Sequence, residues 1–267
     1  MAEDREARLA PDVPGVGEGQ RLGAEPLDGF LARTPRLAVA FSGGCDSAYL
    51  LAAARAAGCA VRAYRVDTAF QPAFERDDAE RVAAALGVPL TTIALDVLAH
   101  ADVAANPPDR CYRCKGLIFD AIRAQVERDA EAGLWEDGPV SASGVPAGGT
   151  ARAAVEVAGG ASAGVPAPAG RIPIVDGTNG SDDPARRPGF RALAERGIVS
   201  PLRRAGLSKE AVRAASAVLA AREGHDPAAL LSAKPSFPCL AVYVPAGAPL
   251  TEESLTRAAA ERGVDPR

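Results

Sequence analysis

The sequence predicts an α/β protein in which helices pack on both faces of a parallel β-sheet. Short apolar segments, as at residues 37–41, alternate with longer segments of helical periodicity, as at 46–57. Gly58 and Gly87 directly follow two helical segments, at the position where helices commonly end. Because an order of strand, helix and strand usually joins parallel strands through a crossover, this alternation predicts a parallel sheet covered on both faces.

Each element is predicted from its own residues. Apolar runs bounded by glycine, proline or polar residues predict strands, and the periodic segments between them predict helices. Ser208 is of the residue type that caps a helix N-terminus. The predicted strands are 37–41, 60–66, 90–95 and 171–175, and the predicted helices are 46–57, 75–86, 115–130, about 190–196, about 208–222 and one from about 251.

Two segments are predicted to lie outside the core. Residues 1–24 mix charge, glycine and proline without apolar periodicity, which predicts a flexible N-terminal arm. In residues 136–170, Ala, Gly, Pro and Ser occupy 25 of 35 positions, which predicts a flexible, low-complexity insertion. The rest is expected to form one domain over 25–233, followed by a cysteine-bearing segment over 234–267.

Composition and charge argue against several classes of protein. The 30 basic and 34 acidic residues give a net charge of −4, so a nucleic-acid partner is not expected. No run of 18 apolar residues is present, and the charged N-terminus lacks an apolar signal segment, so a cytoplasmic protein without membrane contact is expected. Five cysteines, an odd number, fit a reducing compartment. With 59 alanines and 4% aromatic residues, the helices are expected to pack closely on small side chains.

The basic residues comprise 27 arginines and only three lysines. Such a ratio suggests that arginine replaces lysine wherever either residue serves. Lys115, Lys209 and Lys234 are therefore candidates for roles that need a compact ammonium group, with chance retention as the alternative.

The sequence SGGCDS at residues 42–47 lies between the first predicted strand and its helix. Glycines allow close approach to an anion, and the N–H groups of a helix N-terminus with two hydroxyls can hold phosphate oxygens. The Gly-Lys-Ser/Thr ending of a γ-phosphate-transferring P-loop is absent. The string resembles instead the PP-loop of ATP pyrophosphatases, which implies pyrophosphate binding during adenylation. A chance glycine-rich turn is the alternative, and Cys45 is expected to be an apolar filler.

Cys111 and Cys114 lie in NPPDRCYRCK at residues 106–115, and Cys239 lies in KPSFPCLA at 234–241. Two thiols at this spacing can share a metal, and Arg110, Arg113, Lys115 and a helix N-terminus all favour thiolates. Three thiolates would leave one iron of a 4Fe-4S cluster open for an extra sulfide. A zinc site with three cysteines and a redox-active dithiol remain open alternatives.

Asp176, Gly177 and Asn179 follow the predicted strand 171–175. Ligands of open α/β sheets bind at the carboxyl ends of the strands, so these residues are candidates for contact with ATP. An ordinary turn at the end of a strand explains them equally well from the residues alone.

The order of seven motifs resembles the ATP-dependent sulfur transferases of the LarE type, over about residues 37–255 apart from the insertion. The motifs are SGGCDS, NPPDRCYRCK, DGTN, RPG, SPL, GLSKEAVR and KPSFPCLA. The resemblance implies a Rossmann-like fold of the PP-loop ATP pyrophosphatase, or adenine nucleotide alpha hydrolase, type over 25–233. It also implies that a carboxylate of pyridinium-3,5-biscarboxylic acid mononucleotide is adenylated and converted to a thiocarboxylate for the nickel-pincer nucleotide cofactor of lactate racemase.

The resemblance further implies roles for individual residues. One branch of the family sacrifices the sulfur of the cysteine at the position of Cys239, and another carries a 4Fe-4S cluster on three cysteines. This chain has all three cysteines and is similar to the second branch. The implied cofactors are ATP, Mg²⁺ on Asp46 and a 4Fe-4S cluster on Cys111, Cys114 and Cys239. The implied catalytic residues are Cys239, Cys111, Cys114 and Lys115, and the implied ATP-binding residues are Ser42, Gly43, Gly44, Asp46, Ser47, Gly177, Asn179 and Asp182.

The chain departs from the family pattern in three places. Gly180 and Ser181 stand before Asp182 where the family often has two acidic residues directly after DGTN. Val242 and Tyr243 replace a Ser-Arg pair, which removes a cation expected near a phosphate-bearing substrate. The family also continues into a C-terminal domain that contributes to substrate binding and homo-oligomer contacts, so these two functions are in question here.

Two competing functions remain. A tRNA thiolase of the same PP-loop class can also use a Cys-x-x-Cys pair plus a third cysteine, but the acidic charge argues against RNA. A noncatalytic ATP-binding protein is the second alternative. Binding of ATP without release of pyrophosphate would distinguish that alternative from an enzyme.

Overall fold

Five parallel strands form one sheet in the computed structural model, which describes residues 16–135, the backbone of 151–154, 171–226 and 230–266. The spatial order of the strands is β4-β3-β2-β1-β5, and every pairing between neighbours is parallel. The strands are β1 (Arg36–Ala40), β2 (Ala60–Asp67), β3 (Leu90–Ala94), β4 (Ala151–Ala154) and β5 (Ile174–Val175). The predicted fold class, α/β with a parallel sheet, is confirmed.

Helices connect the strands and continue after them. Within the described ranges they are α1 (Leu27–Ala32), α2 (Cys45–Ala56), α3 (Ala73–Leu86), α4 (Ala101–Ala104), α5 (Arg110–Glu131), α6 (Gly189–Glu195), α7 (Pro201–Arg204), α8 (Lys209–Arg222) and α9 (Glu252–Glu261). Ser208 caps α8 as predicted, because its side chain accepts a hydrogen bond of 3.2 Å from the backbone N–H of Ala211. None of the described helices is long and apolar enough to cross a membrane.

The sheet has a buried apolar layer on each face. Leu37 and Val39 of β1 pack with α1, α2, α3 and α8, whereas Ala38 of the same strand packs with α5, α6 and α9. This alternation is the period-two pattern of a strand that is buried on both sides. Fully buried alanines on α2 and α8, Ala48 and Ala220, agree with the prediction of close helix packing on small side chains.

The prediction of a flexible N-terminal arm over residues 1–24 needs correction. Residues 17–23 are not part of a loose arm, since Gly19 O accepts from Ser200 N at 2.9 Å and Gln20 O accepts from Arg203 Nε at 2.9 Å. Polar backbone groups in this stretch thus find partners near α7, which a search for apolar periodicity could not detect. The remainder of the predicted arm, residues 1–15, lies outside the described residues.

The predicted insertion contains one unpredicted element. Residues 151–154 form β4 and pair in parallel with Thr91–Ala94 of β3 at the edge of the sheet. Backbone hydrogen bonds to a neighbouring strand can hold such a segment without a distinctive side-chain pattern. The other predicted insertion residues, 136–150 and 155–170, lie outside the described residues.

The strand order determines where a ligand can bind. The chain passes from β1 through β2 to β3 on one side, and β5 lies on the other side of β1. The connections therefore diverge at β1, and the carboxyl ends of β1 and β5 flank a crevice of the kind that binds ligands in open α/β sheets.

Candidate active site

A cavity of about 840 Å³ opens at the carboxyl edge of the sheet and contains most of the predicted site residues. Those that line it are Ser42, Gly44, Asp46, Ser47, Cys111, Cys114, Lys115, Gly177, Asn179, Asp182 and Cys239. Gly43 does not line it and packs behind the loop instead. The structure thus brings the glycine loop at 42–47 and the cysteines of two distant segments into one cavity.

The loop at residues 42–47 joins β1 to α2 and depends on its first glycine. Gly43 has a φ of +79°, and a Cβ atom there would overlap the backbone carbonyl oxygen of Glu75. A side chain is therefore excluded both by backbone conformation and by space. The loop is held further by Ser47 Oγ, which donates to Gly44 O at 3.0 Å and lies 3.3 Å from Ser42 Oγ.

The start of α2 offers backbone donors to an anion. Gly44 is the N-cap residue and provides no side-chain acceptor for the N–H groups of the first turn. Such groups, together with the positive end of the helix dipole, bind phosphate oxygens. The loop therefore has the donors to hold part of a polyphosphate, and its role in binding ATP stays a prediction.

The segment after β5 packs directly on this helix start. A Cβ on Gly177 would lie 2.8 Å from Ser47 N, so only glycine fits at this distance. Asp176 is 6% exposed, and its carboxylate accepts from Ser200 Oγ at 2.6 Å and from Thr178 Oγ1 at 2.5 Å. Asp176 therefore holds the turn in shape by hydrogen bonds within the protein.

Asn179 and Asp182 also form hydrogen bonds within this turn. Asn179 Oδ1 accepts from Ser181 N at 2.9 Å, and Asp182 Oδ2 accepts from Asn179 N at 3.0 Å. The departure at Gly180 has a steric explanation, since a Cβ there would lie 2.9 Å from Leu207 O. The turn thus packs closely against the segment before α8, where an acidic side chain would not fit.

Two of the three lysines reach the glycine loop. Lys209 Nζ forms an ion pair with Asp46 Oδ2, and Lys234 Nζ donates to Gly43 O at 3.3 Å while it pairs with Asp78 at 2.5 Å. Asp46 Oδ1 is buried and has no hydrogen-bond partner among the described residues. A carboxylate oxygen without a partner beside a phosphate-binding loop fits the donor chemistry of a Mg²⁺ ligand.

The cysteines lie at another part of the cavity, around a buried arginine. Arg110 is 6% exposed, and its NH1 donates to Cys239 Sγ at 3.4 Å. Burial alone lowers the pKa of this guanidinium, but the thiols of Cys239, Cys111 and Cys114 reverse the effect and leave the pKa raised. Burial, with Cys239 adding to it, raises the pKa of the Cys114 thiol to about 12.

The three cations expected to favour thiolates have different positions. Arg110 contacts Cys239, whereas Arg113 points away from the cavity and pairs with Asp109 at 3.0 Å and Asp102 at 3.2 Å. Lys115 lines the cavity. Arg110 was not among the predicted site residues, and the only signal for it in the sequence was its place directly before Cys111.

Two hydrogen bonds fix the segment that carries Cys239 against other parts of the chain. Leu240 N donates to Phe70 O at 2.8 Å, and the Asn106 side-chain amide donates to Pro245 O at 2.9 Å. Lys234 contacts the glycine loop, and five residues of extended chain span at most about 18 Å. The Cα atoms of Cys239 and Lys234 are therefore at most about 18 Å apart.

The metal predictions are not settled by these positions. Across the described ranges, no group of three His, Cys, Asp or Glu side chains forms an arrangement that could hold a metal ion. The three thiols therefore do not form a ligand set for a cluster as they stand. The 4Fe-4S cluster stays a prediction from the resemblance.

A half-buried carboxyl group in the cavity wall had no signal in the sequence. Glu75 lies in the first turn of α3 and lines the cavity behind the glycine loop. Burial raises its pKa to about 7, and Asp78 adds to the shift, while the positive charges of Lys234 and Arg65 oppose it.

Comparison with known proteins supports the nucleotide part of the site. Residues 36–106 match the model of the family described as Queuosine biosynthesis protein QueC. This segment is therefore similar to a QueC-type domain of the PP-loop class. It contains the whole glycine loop and ends before Arg110 and the first cysteine pair. The QueC-like domain agrees with an enzyme that uses ATP.

A longer relative extends the similarity beyond this segment without naming an activity. The Synechocystis sp. protein called Uncharacterized protein slr1717 is 27% identical over 235 residues. The alignment covers 87% of this chain and 69% of that protein, so the similarity extends well beyond the QueC-like domain.

Proposed function

We propose that this protein is an ATP-dependent sulfur transferase that adenylates a carboxylate and converts it to a thiocarboxylate. One observation carries the proposal. A single cavity contains both a phosphate-binding loop without the γ-transferring lysine motif and a cysteine, Cys239, that is hydrogen-bonded to a buried arginine. The first feature activates a carboxylate, and the second supplies a nucleophilic sulfur.

The glycine loop would bind the β- and γ-phosphates of ATP. The N–H groups at the start of α2 hold phosphate oxygens, and Lys209 and Lys234 provide positive charge beside them. Mg²⁺, held by Asp46, would neutralise charge on the phosphates. The acceptor carboxylate attacks the α-phosphorus, and pyrophosphate leaves as the acyl adenylate forms.

The sulfur step follows from the position of Cys239. The Arg110 guanidinium stabilises negative charge on Sγ, which attacks the acyl carbon and displaces AMP to give a thioester. Removal of the Cα proton of Cys239 then breaks the Cβ–Sγ bond, and the sulfur leaves with the acyl group as a thiocarboxylate. The electron pair of the Cβ–Sγ bond leaves with sulfur, and dehydroalanine remains, so no oxidant or reductant is needed.

The acceptor is proposed from the resemblance to LarE-type enzymes. It is pyridinium-3,5-biscarboxylic acid mononucleotide, and the product serves the nickel-pincer nucleotide cofactor. Lys115 lines the cavity next to Cys114, in a position to contact this acceptor. If a 4Fe-4S cluster forms on Cys111, Cys114 and Cys239, it would replace the cysteine sulfur as the source.

The two alternatives are separated by their acceptors and products. A PP-loop tRNA thiolase needs an RNA-binding surface, and the net charge of −4 argues against one. A noncatalytic ATP-binding protein would bind ATP through the same loop and release no pyrophosphate.

Phosphorus NMR of a reaction with ATP and the pyridinium dicarboxylate tests the proposal. We expect AMP and pyrophosphate as products. We also expect Asp46→Asn to abolish their formation while the fold stays intact, because Asp46 lies in the first turn of α2 and lines the cavity. ADP as the main product would rule out the assignment. Binding of ATP without any product would support the noncatalytic alternative.

A further inference from the structure

The basic residues of the cavity are not all paired. Six basic and four acidic residues line it, and four of the basic residues contact an acidic group or a thiol. Among the described residues, the side chains of Lys115 and Arg186 form no ion pair or hydrogen bond. The four contacts are Lys209 with Asp46, Lys234 with Asp78, Arg187 with Asp182 and Arg110 with Cys239.

Lys115 is held in the cavity by two neighbours that carry no negative charge. Its ammonium lies 5.7 Å from the centre of the Phe119 ring, and its aliphatic chain lies against Gly189 at the start of α6. A Cβ on Gly189 would lie 2.9 Å from Lys115 Cε, so the glycine provides the space that the lysine occupies. The packing thus fixes an ammonium at a partly buried position without a carboxylate.

We propose that Lys115 binds an anionic group of the acceptor, either a carboxylate or a phosphate monoester, and that Arg186, which lines the same cavity, adds positive charge. This inference rests on the proposed function, because it assigns a contact to the acceptor of that reaction. A partly buried ammonium without a counterion is unfavourable, and a ligand anion removes this penalty. Lys115 would also supply a positive charge to the acceptor in a chain that has Val242 and Tyr243 instead of the family's Ser-Arg pair.

The position of Lys115 places the acceptor's anionic group away from the phosphates of ATP. The cations that contact the glycine loop and α2 are Lys209 and Lys234, whereas Lys115 follows Cys114 on α5. An acceptor bound at Lys115 would lie beside the thiols while ATP occupies the loop. The structure thus provides two anion-binding parts of one cavity, one for each substrate.

Calorimetric titration of the full chain with pyridine carboxylate probes tests the inference. The probe is nicotinic acid mononucleotide, and Lys115→Gln is compared with Arg113→Gln, which removes the same charge from the same helix outside the cavity. We expect Lys115→Gln to weaken binding about ten- to hundred-fold, as for loss of one charge-assisted hydrogen bond, and Arg113→Gln to leave it unchanged. Nicotinic acid riboside and nicotinamide mononucleotide then show whether the phosphate or the carboxylate is bound.

Gly189→Ala provides a second variant that keeps the charge. The new Cβ must displace the flexible Lys115 side chain, so we expect weaker probe binding with little change in stability. Equal probe affinity in the wild type and Lys115→Gln, or no binding by the wild type, would overturn the inference. Neither result affects the formation of AMP and pyrophosphate, so failure of the subsite is distinguishable from failure of the proposed function.

Discussion

The cavity has two parts that are built in different ways, the glycine-loop part at residues 42–47 and the cysteine part around Cys111, Cys114 and Cys239. The glycine-loop part is one short segment that offers backbone N–H groups at the start of α2. The cysteine part depends on side chains from segments 129 residues apart, joined by the contact between Arg110 and Cys239. A backbone site of this kind tolerates sequence change outside its glycines, whereas a side-chain site depends on each of its contacts.

The match to a known family covers the glycine-loop part and not the cysteine part. The QueC-like match covers residues 36–106 and ends before the cysteine part begins. The use of ATP therefore has support from both sequence similarity and geometry, while sulfur transfer rests on geometry and on the resemblance. Variants that affect the two parts separately can test this division.

The largest effect is expected from Gly43→Ala in the glycine-loop part. Alanine would be strained at a φ of +79° and would overlap the Glu75 carbonyl, so we expect loss of ATP binding and a decrease of about 3 kcal/mol in the free energy of unfolding. The matched control for stability is Gly44→Ala, where the new Cβ would meet only Ser42 Oγ at 3.5 Å. Calorimetric ATP titration measures binding by Gly43→Ala, and urea denaturation compares the stability of both variants. Equal losses of unfolding free energy in the two variants would contradict the structural role of Gly43.

The next largest effect concerns Glu75, which supports the loop from behind. Its pKa is about 7 in the folded protein and 4.5 ordinarily, so the folded state binds the proton more tightly. The carboxyl therefore destabilises the protein progressively as pH rises from about 4.5 to 7, by about 3 kcal/mol in total. Glu75→Gln should be more stable than the wild type at about pH 8 and similar to it below about pH 4.5.

Urea denaturation at several pH values measures this dependence. Glu80→Gln on the exposed face of the same helix is the control and should show no such change with pH. A stability difference between Glu75→Gln and the wild type that is constant with pH would show that Glu75 does not titrate in this range.

A smaller effect is expected from Asn106→Ala, which concerns only the cysteine part. Asn106 has a φ of +50° and donates to Val244 O at 3.3 Å and Pro245 O at 2.9 Å. We expect a decrease of about 2 kcal/mol in the free energy of unfolding, slower sulfur transfer and unchanged ATP affinity. Asn106→Gly removes the hydrogen bonds without backbone strain and should be intermediate in stability. A parallel loss of ATP binding would show that the two parts are not separable.

Much of the fold and the glycine-loop part could be predicted from the sequence because both depend on local patterns. The strand at 37–41, the loop at 42–47 and the Ser208 cap follow from neighbouring residues. The partners of Arg110, Asn106 and Lys115 could not be predicted, since each is set by a segment far away in the chain. The burial of Glu75 was equally hidden, because a charged residue in the first turn of a helix is ordinarily solvent-exposed.

Mass spectrometry of the Cys239 peptide after reaction tests most directly whether the two parts act together. Iron-free protein and its Cys111→Ser variant are incubated with ATP and the pyridinium dicarboxylate, with samples lacking either substrate as controls. We predict a loss of about 34 Da at Cys239, the change from cysteine to dehydroalanine, in both proteins and only when both substrates are present. An unchanged Cys239 in samples that have formed the thiocarboxylate would contradict the role of Cys239 as sulfur donor.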